Sequence, residues 1–284
     1  MQVRFDRGLS YVFLCVSPLL MVAVWSTRLL ASPTVKYGTA IVMIGAILIA
    51  AWTLGARVTV SGEEERRRFA LAGGLIVAVW ASLTLIGVLG RPDQATVSEN
   101  KLRYVVLLAD AILMAGGLMV LRDALGAAGE RFYSGIGFAA IVLAGPLYVI
   151  FTIIQQLAYR AAERVGSGQR PAGSELLDTL SVGLLFPGAV LTYLASAAFA
   201  ASLGRSGWLG RRASRVYVGT SLIAALCVGI RVAEALLSSD GPMWGFKHWY
   251  SIPGFVLLIP AVPWVMPCLF SIALLRRVGD EQSG

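Results

Sequence analysis

Histidine is almost absent from this chain: His248 stands alone. One imidazole cannot supply a pair of axial haem ligands within a single chain, nor build a His-rich zinc site, and no cofactor is implied. Cysteine is scarce too. Cys15, Cys227 and Cys268 share no CxxC spacing, and each falls in an apolar run where a small buried side chain accounts for it. Lysine is confined to Lys36, Lys101 and Lys247, all at the ends of apolar runs, so no buried lysine could hold retinal as a Schiff base. The one asparagine, Asn100, is followed by Lys and Leu and forms no glycosylation sequon. There is no GxSxG, HExxH, phosphate-loop or dinucleotide fingerprint, and no pair of aspartates of the intramembrane-protease kind. An enzyme is therefore the least supported class.

Charge is sparse as well. Only 14% of the 284 residues are charged and 57% are hydrophobic, against about a quarter charged in average soluble domains. Mean hydropathy is +0.75. Apolar runs long enough to cross a hydrocarbon core about 30 Å thick recur along the whole length, and they do not alternate as barrel strands would. The composition predicts an all-α protein: a polytopic helical bundle integral to the plasma membrane or a bacterial inner membrane. Residues 1–284 form a single transmembrane domain, since no connection is long enough to fold separately.

Eight spans are expected, at about 9–28, 37–55, 69–90, 104–122, 133–160, 176–203, 214–238 and 252–275. The first follows a basic leader and resembles a signal peptide, but its apolar core is longer than usual, which favours a retained helix. Were it removed, seven helices would remain. Of the 24 Lys and Arg, fourteen fall on the side that holds both termini and nine on the other, with Arg231 inside a span. That bias puts both termini in the cytoplasm. A net charge of +8 distributed this way points to the lipid bilayer as partner and to no nucleic acid. In SGEEERRRF, residues 61–69, Ser61 and Glu64 have capping-box spacing, and the acids precede the arginines by three and four residues, as at an interfacial helix start.

Polar residues inside the spans carry what functional signal there is. Tyr217, Thr220, Ala224, Cys227, Arg231, Glu234 and Ser238 share one helical face, as do Gly145, Tyr148, Thr152, Gln155 and Tyr159. Asp110 shares a face with Met114 and Gly117, and Asp178 opens the 176–203 span. Counting 1.5 Å per residue, Asp110 lies roughly 9 Å and Arg231 roughly 10 Å below the outer ends of their spans. Asp110, Gln155, Gln156, Asp178, Arg231 and Glu234 are thus candidates for an outward-facing polar chamber, because lipid solvates none of them. Tyr148, Thr152 and Tyr159 are candidate lining groups, and Lys247 and His248, in an aromatic outer loop, a candidate rim. Pro253, Pro260, Pro263 and Pro267 predict a kinked last helix with freed carbonyls. A four-spaced row of small residues, Gly188, Thr192, Ser196, Ala200 and Gly204, predicts close helix packing within the chain or between subunits.

Three readings follow. The first is a transporter or binding protein for a small or amphipathic molecule, with a small-molecule or lipid ligand in the chamber. The second is a non-catalytic structural or accessory subunit, in which an Arg231–Glu234 pair only locks helices, alone or in a homo-oligomer or with a partner subunit. The third, a seven-helix receptor-like protein, requires loss of the first helix.

Overall fold

The computed structural model describes residues 2–26, 32–89, 95–165, 174–237 and 263–281. These residues are helical throughout apart from short turns, and no strand occurs among them. The helices are α1 (Gln2–Ser26), α2 (Pro33–Ala51), a π-helical turn (Trp52–Ala56), α3 (Val58–Ser61), α4 (Glu64–Val88) and α5 (Val97–Ala127). They continue with α6 (Phe132–Val165), α7 (Ser174–Arg205), α8 (Arg211–Leu237) and α9 (Val265–Glu281). Among the described residues, six stretches are long and apolar enough to cross a membrane: Thr34–Ala56, Glu64–Val88, Val97–Ala127, Phe132–Ala161, Thr179–Arg205 and Arg211–Ile230. The chain has the architecture of a multi-pass membrane protein.

Several helices run past the apolar stretches that announce them, because their polar ends are capped. α5 starts at Val97, seven residues before the apolar run, where Thr96 and Glu99 form a reciprocal capping box. The capping box expected at Ser61 and Glu64 does not form. Ser61 ends α3, and Glu63 takes the N-cap place of α4 without a side-chain bond. The i,i+4 pairing expected there does form, between Glu64 and Arg68, and Arg68 also reaches Asp123 of α5 at 3.0 Å.

The last helix differs most from expectation. It runs to Glu281, not to about 275, and it is not kinked at Pro267. Cys268 N–H bonds the Trp264 carbonyl at 3.1 Å, so Pro267 sits in the first turn, where a backbone N–H has no acceptor in the helix anyway. Pro263 precedes the helix, and Pro253 and Pro260 lie outside the described residues.

Helices α4 to α8 pack each against the next, and α2 and α9 lie against α4. The core runs along α4 and α9, where Phe69, Ile76, Val79, Phe270, Leu274 and Leu275 are almost fully buried. α1 joins this core through Leu14 and through Trp80 Nε1, which donates to Ser17 Oγ at 2.8 Å. Backbones meet where the π-helical turn crosses α9. A Cβ on Gly55 would collide with the Leu275 carbonyl, and one on Gly279 with the Leu54 carbonyl, so only glycine allows the crossing. The small-residue row of α7 serves two neighbours. Gly188 lies under the Tyr148 ring of α6, while Ala200 accepts from Ser214 Oγ of α8 at 2.9 Å and Gly204 packs on the same side chain.

Candidate functional site

Asp110 is fully buried, on the face of α5 that turns toward α4. Its neighbours Met114 and Gly117 continue that face. Gly117 lies so close to Ile76 and Leu75 of α4 that a Cβ would come within 2.8 Å of Ile76 Cγ1. This close approach brings Asp110 level with Ser82, six residues from the end of α4, or roughly 9 Å along the helix.

The hydrogen bonding there is short of protons. Ser82 Oγ approaches the Val79 carbonyl at 2.8 Å and also Asp110 Oδ1. A hydroxyl has one proton to give, and both of these partners are acceptors if the carboxyl is ionised. Asp110 Oδ2 is buried and has no hydrogen-bond partner among the described residues. Beyond Ser82, the thiol of Cys268 on α9 lies within electrostatic reach of Asp110 while bonding the Ile76 carbonyl at 3.4 Å. One turn before Cys268, the Trp264 indole N–H is also buried without a partner among the described residues. A buried acceptor on α5 and a buried donor just before α9 are thus both unused among the described residues.

The remaining candidates divide into three groups. Tyr148 and Thr152 are buried. The Tyr148 hydroxyl lies 2.9 Å from Thr192 Oγ1, and its ring stands edge-on to Trp264 at 5.4 Å, so Tyr148 ties α6 to α7 and α9. Thr152 Oγ1 donates to the Val149 carbonyl at 2.8 Å within its own helix. Nearer the end of α6, Gln156 Nε2 donates to the Lys101 carbonyl at 2.6 Å, and Tyr159 stacks on Tyr104 at 5.8 Å. Gln155 is half-buried beside them. Lys101 precedes Asp110 by nine residues, so this second group stands roughly 13 Å further along α5. In the third group, Lys247 and His248 lie outside the described residues, as do the side chains of Asp178, Arg231 and Glu234.

Ser82 and Trp264 were not among the residues that the sequence singles out. A serine in an apolar helix ordinarily bonds its own preceding turn, as Ser82 also does, and nothing in WASLTLIG shows that a carboxyl lies opposite. At the other end of the bundle, a second buried carboxyl is fully satisfied. Glu130 accepts from the backbone N–H groups of Tyr133 and Ser134 at 3.3 and 3.2 Å and from Ser202 Oγ of α7. Burial alone would push its carboxyl up, but these bonds, with Arg205 nearby, hold it below its ordinary value.

Comparison of the chain with family models, with curated proteins and with solved structures finds no match in any of the three.

Proposed function

We propose that this protein is a membrane transporter or binding protein for a small or amphipathic molecule, with eight spans and both termini cytoplasmic, and that Asp110 is its proton-exchanging group. The observation that carries this reading is the proton shortage around Ser82. With Asp110 ionised, the Val79 carbonyl and Oδ1 compete for one hydroxyl proton, and Oδ2 has nothing. A proton added at Oδ1 lets Asp110 donate to Ser82 and Ser82 donate to Val79, which settles that competition and leaves Oδ2 as the open position. An unmet buried acceptor costs about 1–3 kcal/mol. A residue kept only to lock α4 against α5 gains nothing from that arrangement, whereas one that alternately takes and releases a proton or a ligand group requires an unfilled position. Intramembrane carboxylates are functional by default for the same reason.

In this reading Arg231 engages an anionic group of the ligand, and Glu234, Asp178, Gln155 and Gln156 complete the polar path, with Lys247 and His248 at its rim. The membrane is a plasma or bacterial inner membrane.

A hydrophobic carbodiimide, which consumes a protonated carboxyl, tests the proposal without a known substrate. In lipid nanodiscs the folded protein is expected to form an adduct at Asp110, detected by peptide mass spectrometry. The rate should fall as pH rises and change in the Ser82→Ala variant. An Asp110 that stays unmodified at every pH until the protein melts would leave the structural-subunit reading in its place.

A further inference from the structure

At the end of the bundle that holds Gly55 and Gly279, arginines from three separate segments converge. Arg7, in α1, is buried and donates from Nη1 to the Gly279 carbonyl at 2.9 Å, in the last turn of α9. Arg57 follows the π-helical turn and lies within electrostatic reach of Arg7, so two like charges face each other. Arg276, on α9, lies over the Tyr11 ring at 4.5 Å and 3.8 Å from Asp280. Asp280 is the carboxylate that Arg7 senses as well. Asp280 is thus shared by Arg7 and Arg276, and Arg57 brings a further guanidinium close to Arg7.

Arg57 is the group left over. It is half-buried, and its Nε–H is buried with no hydrogen-bond partner among the described residues. A guanidinium presents five donors in a rigid fork matched to oxyanions, and leaving one of them unmet under partial burial is unfavourable unless an anion is supplied. The backbone crossing beside it fixes the spacing. Gly55 and Gly279 bring the π-helical turn and α9 into direct contact, so Arg57 follows a backbone crossing whose Gly279 carbonyl is the one that Arg7 bonds.

We infer that Arg57, with Arg7 and Arg276 beside it, forms a seat for a phosphate-bearing anion at this end of the bundle. The anion relieves the repulsion between Arg7 and Arg57, takes the Arg57 Nε–H and bridges α1, the π-helical turn and α9. A phospholipid headgroup and a soluble phosphate share this chemistry. Because the seat uses neither Asp110 nor Ser82, it stands or falls separately from the transport reading.

The test uses the full-length protein in detergent, with binding read by native mass spectrometry and by melting temperature. Phosphatidylglycerol, phosphatidylcholine and inorganic phosphate are added in separate arms. One phosphatidylglycerol is expected to remain bound about tenfold more tightly than phosphatidylcholine, and Arg57→Gln should abolish that preference. Arg131→Gln, which removes an exposed arginine in another connection, should leave it intact. Arg57→Lys keeps the charge but not the fork and should give an intermediate affinity, which guards against misfolding of the glutamine variant. A melting-temperature rise with inorganic phosphate alone, lost in Arg57→Gln, assigns the seat to soluble phosphate. Equal weakening by Arg57→Gln and Arg131→Gln, or no preference for any phosphate anion over phosphatidylcholine, overturns the inference.

Discussion

Arg7 Nη1 and the Gly279 carbonyl oxygen lie 2.9 Å apart, joining the first helix to the last across 272 residues of chain. The bond satisfies a carbonyl in the last turn of α9, one of the four that no helical N–H can reach, and places a cation at the negative end of that helix. It sits directly over the Gly55 and Gly279 crossing, so the same small volume holds a backbone contact and its charged clamp.

That crossing gives the first prediction. Gly279→Ala and Gly55→Ala should each destabilise the protein by about 1–3 kcal/mol or more, because the new methyl meets backbone carbonyls that cannot move aside. Gly45→Ala, in α2 with nothing within 4 Å of its Cβ position, should be neutral or stabilise by up to about 1 kcal/mol through helix propensity. Thermal melting of the three variants in one detergent makes the comparison, and equal effects at the three sites would contradict the crossing.

Acid should loosen the junction of α6 and α7. Glu130 has its folded-state carboxyl held below its ordinary value of 4.5 by hydrogen bonds that outweigh burial. A group depressed in the folded state contributes stability that is present above its unfolded value and is lost as pH falls through the folded one. The melting temperature should therefore fall progressively as pH drops below about 4.5, the ordinary value. In Glu130→Gln it should start lower at neutral pH and fall less on acidification. A Glu130→Gln profile parallel to that of the unaltered protein would show that this carboxyl is not part of the acid response.

The Asp110 site should trade stability for activity. Replacing both partners at once, Asp110→Leu with Ser82→Ala, removes the unmet acceptor and fills its place with apolar atoms, so the melting temperature should match or exceed that of the unaltered protein. Asp110→Ala alone leaves a cavity beside Met114 and should lower it. In proteoliposomes containing a pH-sensitive dye, any proton movement carried by the protein should disappear in both variants. A double variant that melts well below the unaltered protein would mark Asp110 as a packing residue.

Much of the architecture was legible because the bilayer demands it. A helix must be about 20 residues of apolar side chains to cross, and such runs need no tertiary information to recognise. The row from Gly188 to Gly204 was likewise readable as a packing edge, since small side chains at four-residue spacing admit a neighbour wherever it comes from. The helix ends were less legible. The run to Val97 depends on whether Thr96 and Glu99 meet, and the continuation to Glu281 depends on Arg7, a residue at the opposite end of the chain.

At the site, that Asp110 would turn away from lipid followed from its residue type within an apolar run, because hydrocarbon offers a carboxyl no hydrogen bonds. Which groups would face it depended on how the helices pack. Ser82 lies opposite because Gly117 lets α5 close on α4, and Cys268 lies nearby because α9 packs on α4, where its thiol bonds the Ile76 carbonyl. Spacing within one helix fixes the direction of a side chain. The partner it meets depends on the rotation and depth of a second helix, and those are set by packing summed over many residues along both.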